Sequence, residues 1–328
     1  MLGLGHSLAG GSALGGYENN YGLLFDGTND YVLAGISGNS PANGTIKPLS
    51  CPNGFTVAVW CKLDIDGEDD PYNTIPPSNR RLVNCQANGG WSLHYGSKRF
   101  IFHIKQIDGD DNVASSKPET KQPFMKNPLS GSGQPKQFLH KPDGWHFVVG
   151  TWDGDRVKQI YLDGGRDQAG SSTVISDGVG DFGSQPEDSG SKVTESAASG
   201  GAYTIKYNHE TADRDEIDVL IGAGGSMNSL TDVTTATGEY WEGYIGDIGI
   251  WNRELTSDEI KALYNLHVPT DMSTTQPDDL IAYWKMEEGS GTTLVETTGN
   301  VGTNGSIHGA AFNTLAPSTD VSSYPGYQ

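Results

Sequence analysis

No stretch of this 328-residue chain approaches the ~18 consecutive apolar residues that a membrane-spanning helix requires, so no such helix is expected. Positive charge is scarce too. Lysine and arginine total 21 against 41 acidic residues, a formal net charge of −20 with pI ≈ 4.6. A surface of that sign repels phosphate backbones and anionic bilayers before contact, so neither nucleic acid nor membrane insertion is expected. Cysteine is equally thin: three residues, an odd number, make no disulfide framework. Cys61 falls in phase with Phe55, Val57, Val59 and Leu63 and reads as a small core residue of a reduced chain. The opening Met1-Leu2-Gly3-Leu4-Gly5-His6 has no basic segment and no unbroken apolar run, which makes a poor signal peptide. A protein of this kind acting outside a cell is expected to leave by lysis or on a particle.

Catalytic motifs are missing as well. The chain has no Gly-x-Ser-x-Gly elbow, no His-Glu-x-x-His helix, no Walker loop and no Cys-x-x-Cys pair. Its eight histidines are dispersed, and His94, His103 and His146 sit within strand-like runs, where a half-buried sheet position explains them.

Glycine is what the chain has in abundance. The 45 glycines and 16 prolines punctuate short apolar runs, the pattern of many strands joined by turns. Strands are expected at 23–33, 55–63, 81–86, 91–95, 100–107, 145–152, 158–163, 204–207, 218–222 and 241–251. After the last of these, the period changes from two to helical behind Thr256-x-x-Glu259, a capping box that starts one short helix. Ten strands and one helix predict an all-β, two-sheet antiparallel jelly-roll sandwich. Residues 1–20 read as a glycine-rich arm, 21–268 as the sandwich, 269–315 as a segment completing or extending it, and 316–328 as a tail. Two polar stretches, 108–143 and 164–203, read as long loops, functional or disordered, with an oligomer interface the favoured function. In Leu280 to Met286, Ala282, Trp284 and Met286 alternate with Ile281, Tyr283 and Lys285, an edge strand showing Lys285 to water.

Five ordered anchors resemble the concanavalin A-like, laminin-G-like domains. They are Phe25 to Val32 (Phe-Asp-Gly-Thr-Asn-Asp-Tyr-Val), Phe55 to Trp60, Gly144 to Gly154, Tyr161 to Gly164, and the closing strand and helix. The segment from Leu280, with Asn304 to Ala310, resembles the usual beginning of such a domain placed at its end, as if circularly permuted. That tail order also resembles virion proteins of marine tailed phages. The resemblance implies a non-enzymatic structural or decoration component of a virion, bound to neighbouring virion proteins, expected as a homo-oligomer and with possible affinity for surface glycans. The alternative is an extracellular, carbohydrate-binding, lectin-like adhesion module, and a third reading is a degenerate glycoside hydrolase.

Related glycosidases carry Glu-x-Asp-x-Glu, whose period places three carboxylates in one cleft. Here Glu216-Ile217-Asp218-Val219-Leu220 has leucine in the third place, so the proton donor is absent. The resemblance further implies a structural calcium held by Asp26 and Asn29 of the first turn and by Asp247 of the closing strand. Calcium takes such hard oxygen ligands, although Asp26 and Asn29 serve equally well to stabilise their own turn. Asp247 is read as sharing a strand face with Trp241, Ile245 and Trp251. For a sugar, Trp91, Tyr95 and Trp152 are the flat rings on offer, while Trp145 and Trp152, an odd number apart, must face opposite sides.

Overall fold

In the computed structural model of the chain, residues 20–35, 54–63, 79–85, 90–96, 99–107, 113–114, 117–120, 145–164, 189–194, 201–205, 218–226, 235–265, 269–300 and 304–314 are described. The arm at 1–19, the tail from 315 and Glu216 lie outside them. The strands are, in chain order, β1 (Tyr21–Asp26), β2 (Tyr31–Gly35), β3 (Phe55–Leu63), β4 (Arg80–Cys85), β5 (Trp91–Gly96), β6 (Arg99–Ile104), β7 (Gln106–Ile107), β8 (Val113–Ala114), β9 (Trp145–Trp152) and β10 (Val157–Leu162). They continue with β11 (Ser189–Thr194), β12 (Thr204–Ile205), β13 (Asp218–Ile221), β14 (Gly224–Ser226), β15 (Thr235–Gly238), β16 (Glu242–Trp251), β17 (Leu280–Trp284), β18 (Thr293–Leu294), β19 (Gly305–His308) and β20 (Ala311–Thr314). Two helices, α1 (Ser257–Tyr264) and α2 (Met272–Thr275), lie between β16 and β17.

All pairing is antiparallel. Of the two large sheets, one runs β11-β10-β9-β3-β16-β1-β20, with β17 also pairing β16, and the other runs β18-β19-β2-β13-β4-β5-β6; two small ones, β12-β7-β8 and β14-β15, accompany them. Their inner faces bury one core, in which Phe55, Trp91, Phe102 and Trp152 interleave with Val32, Leu93, Ile221 and Ile248. This is the expected jelly-roll sandwich, with a second helix besides the one foreseen. The stretch 164–203, read as a loop, includes the six-residue edge strand β11, in register with β10 from Val157↔Thr194 to Leu162↔Ser189. Backbone pairing carries that strand, whose Ser-Gly-Ser-Lys-Val-Thr sequence has little β preference of its own.

The closing segment enters both sheets. β17 pairs the second half of β16, β19 pairs β2, and β20 pairs β1 with Tyr21 opposite Thr314. The β19–β20 turn packs on the β1–β2 turn, where Gly309 at φ 81° lets its backbone meet the Asp30 carboxylate; any side chain would collide there. Glu296 staples the segment together. Its carboxylate accepts from the amides of Tyr283 and Thr298, each at 2.9 Å, and of Gly299 at 2.9 Å.

Alternation along β17 buries Ala282, Trp284 and Met286 in the main core, as expected. Tyr283, however, is buried too, because α1 and α2 cover the outer face of this sheet. Beneath them lies a second apolar layer, with Trp60 stacked on Tyr264 at 5.9 Å and tilted against Phe147 at 5.0 Å. Thr256 and Glu259 form the capping box that starts α1, and Arg253 grips both oxygens of Glu259 at 2.8 and 3.0 Å. Gly249 in β16 leaves room for the Met272 sulfur of α2.

A bulge in β16 resets its phase. Ile245 faces Cys61 while Ile248 faces Val59, so three steps on β16 match two on β3. Before the bulge, Trp241 and Ile245 point into the main core; after it, Ile248 and Ile250 do, and Trp251 joins the outer layer. Asp247 sits in the bulge, fully buried, and does not share a face with both Trp241 and Trp251.

Candidate functional site

Trp91, Tyr95 and Trp152, the rings expected to meet a sugar, are 0–1% exposed in the main core. Their strands are right and their face is inverted. Inward-facing Trp91, Leu93 and Tyr95 force Ser92 and His94 onto the outer side of β5. Trp145 packs on the outer layer and Trp152 on the inner core, opposite sides as expected.

The calcium set is not assembled either. Asp26 stands opposite Glu242, and Asp247 lies five residues further along β16, roughly 16 Å away at the usual rise of a strand. Asp26 Oδ1 accepts from the amides of Thr28 at 2.8 Å and Asn29 at 3.3 Å, which is the turn-stabilising role. Asn29 is exposed.

A buried trio occupies the inner face at another point. His146 Nδ1 lies 2.8 Å from Asp163 Oδ2, and His146 is the register partner of Cys61. Burial, with the Asp163 carboxylate adding to it, pushes the Cys61 thiol well above its ordinary range. The thiolate that a nucleophile needs is therefore disfavoured at Cys61.

Polar side chains converge instead on the outer face of the second sheet. The register lays Ser306, Leu33, Leu220, Asn84, Ser92 and His103 across it in one row. The adjacent row includes His308 and Tyr31 at one end and Arg81, His94 and Ile101 at the other. Arg81 is fixed by Glu239, Nε to Oε2 at 2.6 Å. Its Nη1 donates to Ser92 Oγ at 2.6 Å and reaches His94 Nδ1 at 3.3 Å. A guanidinium only donates, so His94 Nδ1 accepts and the ring proton sits on Nε2. Desolvation first, then neighbouring cations, hold His94 well below the usual histidine range and His103 at about 3.

Two further features mark this face. Asn84 is 3% exposed, and its Oδ1 is buried without a hydrogen-bond partner. Tyr31 and His308 stack at 4.4 Å and 7° between planes, with His308 exposed. The signal that could have found them is the polar complement of each aromatic stripe: Ser92 and His94 between Trp91 and Tyr95.

No family model matches the chain, and no curated protein matches it. Solved structures do. A candidate carbohydrate-binding protein from Bacteroides ovatus ATCC 8483 aligns over 92% of this chain and 61% of its own, with 13% identity and a TM-score of 0.46. This chain thus spans about three fifths of that protein's length. A heptameric SAP-like pentraxin from Limulus polyphemus aligns over 75% and 82%, at 11% identity and TM-score 0.35. The binding domain of botulinum neurotoxin serotype G aligns over 66% and 37%, at 17% and 0.32. The functional reading rests on this chain's own residues.

Proposed function

We propose that the chain is a non-enzymatic binding module, carried as a structural or decoration component of a virion, that contacts glycans through the outer face of its second sheet. One observation carries the reading. A Tyr31–His308 ring stack, its histidine exposed and its tyrosine half-buried, shares that face with the recessed polar groups of Arg81, Asn84, Ser92 and His94, and Asn84 Oδ1 is a buried acceptor with no partner. Flat rings complement the C–H faces of a pyranose, and an orphan acceptor is what a sugar hydroxyl satisfies. A catalytic use of Ser92 and His94 is disfavoured because Arg81 occupies both, and burial first, with the Arg81 charge adding to it, keeps the imidazole a weak base. The virion setting is supported by a reduced, strongly acidic composition that keeps clustered copies from associating nonspecifically.

The test is a glycan array probed with the full chain and with His308→Ala and Asn84→Leu. Binding by the wild type that both substitutions reduce supports the reading. Silence of the wild type across neutral and charged glycans removes it. Labelling of purified particles with an antibody to this chain tests the setting.

A further inference from the structure

The polar row has a charge character opposite to that of the chain. Lys117 immediately precedes Pro118, whose carbonyl accepts from Phe102 N at 3.1 Å, so this exposed lysine lies at the edge of β6 beside His103. His103 in turn stands opposite Ser92, to which Arg81 donates. The two charged side chains that bear on both His94 and His103 are cations, Arg81 and Lys117. In a chain with 41 acidic residues against 21 basic ones, an exposed lysine and an arginine beside two imidazoles run against the overall sign. Glu239 pairs with Arg81, and Glu119 pairs with Arg99 at 3.1 Å.

We infer that the glycan taken by this face is anionic: a sugar residue bearing a carboxylate or a sulfate, its anion between Lys117 and the His94–His103 pair, and a ring hydroxyl donating to Asn84 Oδ1. The inference rests on the glycan reading above and adds the ligand class. Neutral imidazole suits the role. With Nδ1 accepting from Arg81, His94 offers Nε2–H as a donor without titrating, and Lys117 supplies the charge. Negative charge elsewhere on the protein repels the same ligand, so attraction is confined to this patch.

The experiment is titration calorimetry of the full chain at low ionic strength with three probes of equal length: an oligogalacturonate, a sulfated galacto-oligosaccharide and a neutral galacto-oligosaccharide. At least one anionic probe is expected to bind about tenfold or more tighter than the neutral one, the gain of a charge-assisted hydrogen bond, and the two anionic arms distinguish carboxylate from sulfate. That advantage should shrink with added salt. Lys117→Glu should abolish it, whereas Lys261→Glu, the same charge change on α1 over the other sheet, should leave it intact. Equal affinity for neutral and anionic probes, or an advantage that survives Lys117→Glu, overturns the anionic assignment and leaves the glycan reading standing. Absence of binding to all three probes, together with a silent array, overturns both.

Discussion

The two outer faces of the sandwich were given opposite uses. Over the first sheet, α1 and α2 seal a second apolar layer in which Leu255, Ile260 and Leu263 meet Trp60, Phe147 and Tyr283. Over the second sheet, the outward positions include Asn84, Ser92, His94 and His103 beside Leu33, Leu220 and Ile101, with the Tyr31–His308 stack, its histidine exposed, at one end. Both sheets share the same inner core, so the contrast lies in what each strand points outward. A sheet apolar on both sides is committed to stability, whereas the second sheet has kept a recessed acceptor on its outer face, Asn84 Oδ1, that a ligand or water would complete.

The sharpest way to break this contrast is to remove the segment that closes the sealed side. Truncation after Pro277 deletes β17 and takes Trp284 and Met286 from the main core and Tyr283 from the outer layer. Burial of those first two side chains alone is worth ~3 to 6 kcal/mol, comparable to a domain's usual net stability, so the product should unfold or aggregate. A truncated chain with the melting curve of the full one would show that the layers are not coupled.

Next comes Leu263→Ala in α1, expected to cost about 2–5 kcal/mol as a buried leucine truncation, read by chemical denaturation. A loss below about 0.5 kcal/mol would mean that the helices only lean on the sheet.

Acid should then weaken the polar side first. His103 titrates at about 3 in the fold against an ordinary 6.5, so its protonated form favours the unfolded chain. Its effect is absent above pH 6.5 and grows as pH falls from there to about 3. Glu259, whose carboxyl the hydrogen bond from Arg253 holds at about 2 against 4.5, acts in a lower window: its stabilisation is present above 4.5 and lost as pH falls towards 2. The fall of Tm between pH 6.5 and 4.5, to which His94 also contributes, should be shallower in His103→Gln than in the wild type and unchanged in Glu259→Gln; the reverse result would contradict the assignment.

Asn84→Leu should change stability by no more than about 1 kcal/mol, or raise it, because it replaces an orphan acceptor with an apolar group. Marked destabilisation would mean that Asn84 is already satisfied. The smallest effect is expected from calcium. With Asp26 and Asp247 so far apart along β16, melting in EDTA and in millimolar calcium should coincide; a rise abolished by Asp26→Ala would instead give the first turn a cation.

Much of the scaffold was legible because local rules and tertiary structure agree in it. Thr256 and Glu259 announce α1 in four residues, and the alternation from Leu280 to Met286 gives the side of β17 that meets the main core. What escaped depends on distant partners. Burial of Tyr283 requires helices that cover it, and β11 exists through its pairing with β10. The bulge at Ile245–Ile248 leaves no mark in composition, yet it reverses the side taken by Trp251. At the site, large aromatic rings drew attention to Trp91 and Tyr95, although hydrophobic area is the strongest reason for a ring to be core; the residues between them held the signal.

The placement of β20 against β1, with Tyr21 opposite Thr314, also has a temporal meaning. A ribosome delivers the first strand long before its edge partner, and β2 waits as long for β19. Until that tail emerges, the growing chain holds strands with open edges and a core lacking Trp284, Leu294 and Ile307. Such a topology folds late and slowly, and its nascent form is the state most prone to pair with other chains.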